Sequence, residues 1–124
     1  MTYHPAIADL LNALPEGAQA RLRVVSSSMA PWLLPGDEVT LLRQPLSRLR
    51  CGDLVVVQRS ADFVTHRLIL VKSGKVYTKG DRLPYLDAPV PAEQVLGRVV
   101  AIQRGELQRN LTRPHWNALH RLLG

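Results

Sequence analysis

Between residues 21 and 104 the apolar residues of this chain come in short, β-branched runs, each stopped by glycine, proline or a Gly-Asp pair. Segments interrupted this often are too short for stable helices and suit strands joined by turns. Strands are expected over residues 21–25, 38–42, 54–57, 63–72, 75–78 and 95–102. The run at 54–57 is Leu-Val-Val-Val, whose unbroken apolar character implies burial on both faces. The run at 63–72 alternates, with Val64, His66, Leu68 and Leu70 on one face and Phe63, Thr65, Arg67 and Ile69 on the other. Ser60-Ala61-Asp62 and Ser73-Gly74 read as hairpin turns, so the sheet is expected to grow as a meander, with Gly97 marking a bulge. Residues 79–91 hold too much glycine and proline for a central strand and are expected to form a long structured loop.

Helical spacing is confined to the two ends. Residues 5–14 place Ile7, Leu10, Leu11 and Leu14 on one face before the stop Pro15-Glu16-Gly17. Residues 113–123 form a second candidate helix, with Thr112 as N-cap and Pro114 in its first turn. The chain of 124 residues is therefore expected to be one mainly β domain with a β core over 21–104 and a short helix at each end.

Composition narrows the classes of function. A formal charge of +6 favours acidic partners without choosing between nucleic acid and an anionic membrane. Aromatic residues are 5% of the chain, too few for a stacking platform, so no nucleic-acid partner is expected. Cys51 is the single cysteine, which rules out an internal disulfide and paired-cysteine zinc ligation; no metal or cofactor is expected. The opening residues lack the basic and apolar pattern of a secretory signal, and no apolar run approaches the ~18 residues that cross a bilayer. A cytoplasmic protein is the expectation. Trp116, Leu119, Leu122 and Leu123 make an apolar stripe beside Arg113, His115, His120 and Arg121, suited to docking on the sheet or to peripheral membrane contact.

The stretch 26–37, Ser-Ser-Ser-Met-Ala-Pro-Trp-Leu-Leu-Pro-Gly-Asp, places a hydroxyl cluster where a strand ends. Serine is a weak nucleophile unless a base takes its proton. Of four histidines, His4, His115 and His120 lie in the terminal segments, while His66 stands among apolar neighbours on a strand. A histidine there is most often a hydrogen-bonded core residue; a serine partner would make it a base.

The order of several boxes gives that pairing its context. Ser28-Met29-Ala30-Pro31, Leu33 and Gly36-Asp37 resemble the nucleophile box of the signal peptidase I and LexA-type repressor superfamily. Gly52-Asp53-Leu54-Val55-Val56 resembles its Gly-Asp-Ile-Val-Val strand, His66-Arg67-Leu68-Ile69 its base-bearing strand, and Thr78-Lys79-Gly80-Asp81 with Asp87 its later Gly-Asp box. Many members use lysine as the base; His66 makes this chain similar to the Ser/His branch of endoplasmic reticulum, archaeal and some spore-forming bacterial signal peptidases. The resemblance implies a coiled β-sheet domain, Ser28 as nucleophile and His66 as general base, because imidazole takes the serine proton without the deep desolvation a lysine needs. It implies Asp87 as the supporting acid, with Asp81 as the alternative, and the Ser28 backbone amide with the Ser26 hydroxyl as oxyanion donors. Met29, Pro31 and Trp32 are placed along the substrate cleft, although Trp32 stands where the family usually has a threonine. Asp37 and Asp53 read as turn residues.

The implied activity is a serine endopeptidase of signal-peptidase type, without a membrane anchor, acting on a precursor or leader peptide. Two alternatives come from other classes. A self-cleaving repressor-type fragment would need an upstream Ala-Gly pair, which the 27 residues before Ser28 lack. A non-catalytic basic β module, binding protein or nucleic acid, would make the Ser28–His66 pairing accidental. The sequence names neither the substrate nor the oligomeric state.

Overall fold

The computed structural model describes residues 10–60 and 62–111. Eight strands are found there: β1 (Gln19–Arg23), β2 (Glu38–Arg43), β3 (Leu54–Arg59), β4 (Asp62–Lys72), β5 (Lys75–Lys79), β6 (Val90–Pro91), β7 (Val95–Arg104) and β8 (Leu107–Asn110). They form one antiparallel sheet in the order β1-β2-β7-β3-β4-β5-β6, with β8 paired to β7, and the sheet curls into a half-barrel. The fold is mainly β. Residues 10–13 are helical; the remainder of the expected N-terminal helix and the whole of the expected helix at 113–123 lie outside the described residues. Among the described residues no helix is long and apolar enough to cross a membrane.

The meander holds from β3 to β5 and fails on either side. β7 enters between β2 and β3, pairing Arg43 with Gly97 on one edge and Val55 with Arg98 on the other. The far half of that second edge is taken by β8, through Ala101–Asn110 and Arg104–Leu107. Gly97 permits the insertion: a Cβ there would stand 2.0 Å from Leu42 O, and its φ of +155° is one that L side chains rarely adopt. The adjoining register shift falls between Val56 and Val57, where β7 moves from Gly97 to Val95 and leaves Leu96 unopposed, so the bulge lies beside the glycine.

β3 divides the interior. Leu54 and Val56 join Leu22, Val39, Leu41, Phe63 and Val99 in one cluster, while Val55 and Val57 join Leu68, Val76, Val90 and Val95 in another. Both faces of the strand are therefore covered, and each fully buried aliphatic side chain contributes roughly 1.5–3 kcal/mol of transfer free energy.

The two Gly-Asp turns are built alike. Gly36 and Gly52 take φ of 95° and 94°, a region glycine enters without strain. Each following aspartate accepts the backbone N–H three residues earlier at 2.8 Å, from Leu34 onto Asp37 and from Arg50 onto Asp53. Asp37 is further held by a two-pronged bond from Arg104, which keeps its carboxyl below the usual aspartate range despite burial.

β1 ends at Arg23, short of the expected Val25. Val24 still exchanges bonds with the turn, donating to Asp37 O and accepting from Gly36 N–H, both at 2.8 Å. Val25 is 55% exposed, and the chain there peels away from β2. That departure carries the serine cluster toward β4.

Candidate active site

The segment after Val25 is a compact turn anchored from below. Ala30 N–H donates to Ser27 O and Leu33 N–H to Met29 O, each at 3.0 Å, while the Met29 and Leu33 side chains are buried in the first core cluster. With its neighbour pinned, Ser28 is held at the rim. Its carbonyl accepts the Arg82 N–H at 3.0 Å, so the loop after β5 clasps the turn.

His66 comes from the middle of β4, opposite Val55 on β3. Its Nε2 lies 2.9 Å from Ser28 Oγ and its Nδ1 lies 2.6 Å from Asp87 Oδ2. A carboxylate only accepts, so Nδ1 carries the hydrogen and Nε2 is left to accept the serine hydroxyl. The ring is almost entirely buried, with Asp87 only slightly more open. Gly80 packs against this pair: a Cβ there would stand 2.8 Å from Ser28 O and 3.1 Å from His66 Nε2.

Asp87 is fixed by more than the histidine. Its N–H donates to Thr78 O at 2.9 Å and its Oδ2 accepts the Thr78 hydroxyl at 2.7 Å. Arg59, at the end of β3, donates to Ala88 O at 2.6 Å and comes within 4.0 Å of Asp87 Oδ2. Sequence reasoning assigned no role to Thr78, Arg59 or Gly80. The signal for Thr78 was its place in β5, where it shares the inward face with Val76 and so needs a partner for its hydroxyl. Arg59 carried no such signal.

Asp81 is not on the histidine. It makes a two-pronged ion pair with Arg67, at 2.9 and 2.7 Å, and its N–H donates to Met29 Sδ at 3.2 Å. The carboxylate holds the Arg67 guanidinium above its ordinary pKa. The alternation of β4 explains the separation, since His66 and Arg67 leave opposite faces of the strand.

Ser26 lies beside Ser28, its Oγ 3.1 Å from Ser28 Oγ and accepting the Ser28 N–H at a long 3.4 Å. A cavity of about 20 Å³ adjoins the pair, lined by Val24, Met29 and Leu33 from one side and by Val64 and Thr65 of β4 from the other. Met29 is thus at the site, as expected. Pro31 and Trp32 are not: past Ala30 the turn reverses, and both line a separate groove with Ile102, Arg104 and Leu107, where Trp32 is 58% exposed.

The strand edge next to the site is open. β5 pairs with Arg67–Lys72 only, so among the described residues the first half of β4 has β3 on one side and no strand on the other. No group of three or more His, Cys, Asp or Glu side chains among the described residues is arranged to hold a metal ion, and Cys51 is exposed. No protein-family model matches the chain, and no curated protein matches it.

Proposed function

We propose that this protein is a serine endopeptidase with a signal-peptidase-like coiled sheet, in which Ser28 is the nucleophile, His66 the general base and Asp87 the orienting acid. The carrying observation is the unbroken line from Ser28 Oγ to His66 Nε2 at 2.9 Å and from His66 Nδ1 to Asp87 Oδ2 at 2.6 Å. Three side chains distant in sequence meet there in the order that proton transfer from serine requires.

The chemistry follows from the contacts. Ser28 Oγ attacks the scissile carbonyl carbon as its proton passes to His66 Nε2, and the Asp87 carboxylate stabilises the imidazolium that forms. The Ser28 N–H and the Ser26 hydroxyl, now turned on each other, are the groups free to turn toward the oxyanion. The C–N bond then breaks, the leaving amine takes the proton from Nε2, and an acyl-serine remains. Water, deprotonated by the same imidazole, hydrolyses it and frees the acid and Ser28.

The open edge of β4 suits an extended peptide added as a further strand, with main-chain bonds holding it across the serine. Such a peptide would be a segment of a precursor or leader with a small residue at the cut, since the cavity beside Ser28 admits nothing larger. Incubating the purified chain with a proteome-derived peptide library and reading new termini by mass spectrometry tests the reading. Cleavage lost in both Ser28→Ala and His66→Ala is expected; cleavage surviving either change would exclude this mechanism.

A further inference from the structure

Thr65 sits on β4 next to the base, is only 6% exposed, and lines the cavity beside Ser28. Its Oγ1 is buried without a hydrogen-bond partner among the described residues. A buried hydroxyl left unpaired is destabilising, and valine would fill the same volume without that penalty. Thr78, on the neighbouring strand, spends its hydroxyl on Asp87. Thr65 has nothing comparable.

The remaining walls are apolar. Val24, Met29 and Leu33 are all buried, and the space of about 20 Å³ holds a single methyl or hydroxymethyl group, or one water. The Ser28 hydroxyl is committed to His66. Because Ser28 itself lines the cavity, the side chain that enters belongs to the residue whose carbonyl is attacked.

We propose that this cavity is a subsite for serine, and that Thr65 selects serine over alanine by hydrogen bonding to the substrate hydroxyl. The inference rests on the peptidase reading above and names the residue on the acyl side of the cut. Size excludes valine, threonine and larger residues, and apolar walls exclude charge. Alanine fits but leaves Oγ1 unpaired, as it is in the free protein. Hydrogen-bond complementarity of this kind discriminates more strongly than one methyl group's volume, and roughly tenfold is expected for one neutral pair.

The test uses peptides taken from sites cut in the library, resynthesised with serine, alanine, threonine or valine before the cut. Wild type is expected to favour serine over alanine about tenfold in kcat/KM and to reject threonine and valine. Thr65→Val is expected to lower cleavage of the serine peptide until the ratio is about one, while Thr65→Ser keeps the preference. Thr65→Val is also expected to melt no lower than wild type, because it removes an orphaned hydroxyl; a clear drop in melting temperature would reveal a structural partner and overturn the assignment. Cutting without serine preference, or with a preference that Thr65→Val leaves intact, removes the subsite alone. No cutting of any peptide removes the peptidase reading and the subsite with it.

Discussion

The Thr78 hydroxyl stands 2.7 Å from Oδ2 of Asp87, the same oxygen that accepts the His66 Nδ1–H at 2.6 Å. One carboxylate oxygen thus receives two donors from neighbouring strands, which fixes the acid's rotamer independently of the imidazole. Thr78→Val is expected to lower kcat about tenfold with KM nearly unchanged, and Thr78→Ser to restore most of it, because the loss is one of positioning. Steady-state kinetics on any peptide the protein cuts will show the split.

The two aspartates at the loop should separate cleanly. Asp87→Asn is expected to lower kcat by about 100-fold or more, since the amide can present its NH2 to Nδ1 and favour the wrong tautomer. Asp81→Asn breaks the pair with Arg67, so it should lower thermal stability while leaving kcat within about threefold. The reverse ranking would move the acid to Asp81.

Gly80 is the point where the loop touches the chemistry. The Cβ of an alanine there would press on Ser28 O at 2.8 Å and approach His66 Nε2 at 3.1 Å, and the backbone φ itself raises no objection. Gly80→Ala is expected to fold but to lose about 100-fold in kcat, the scale of an ångström's misplacement. A folded, fully active variant would show that the Ser28–His66 contact tolerates the shift.

Acid stability depends on Asp37. The Arg104 hydrogen bond holds its carboxyl below the ordinary value, with burial opposing and the Leu34 N–H assisting. The folded state therefore binds fewer protons there than the unfolded chain, and the resulting stabilisation is complete above about pH 4 and lost as pH falls through the folded-state value. Asp37→Asn should be less stable than wild type near neutrality, with the gap closing in strong acid. Urea midpoints measured from about pH 7 to about pH 2.5 will show convergence, and parallel curves would count against the assignment.

Gly97→Ala is expected to destabilise by about 3 kcal/mol or more, because the new Cβ would overlap Leu42 O on the adjoining strand at an already unfavourable φ. Urea denaturation of the two proteins measures it directly.

Strands are legible in this sequence where an aliphatic run meets a glycine turn: β2, β3, β4, β5 and β7 all start or stop beside such signals. The meander reading fails because hydrophobic pattern sets which residues face inward and says little about which strands become neighbours. β7 finds its place through a backbone approach at Gly97 to a strand more than fifty residues earlier. β8 is invisible for a different reason: Leu-Gln-Arg-Asn is exposed throughout and has no alternation to detect. At the site, Ser28, His66 and Asp87 come from ordered boxes, whereas Arg59 and Thr65 act through contacts that only the curled sheet creates. Trp32 misleads because one reversal at Ala30 sends it to another surface.

The insertion of β7 also sets a schedule. Within the sheet, the half that carries the serine turn, β1 and β2, is joined to the half that carries the histidine only through β7. A growing chain has already made Ser28, His66 and Asp87 before residues 95–104 exist. Through most of its synthesis the polypeptide therefore holds every reactive group but not the strand that brings the halves together. Reactivity is postponed until the core is nearly finished, which spares the emerging chain and its neighbours on the ribosome from premature cutting.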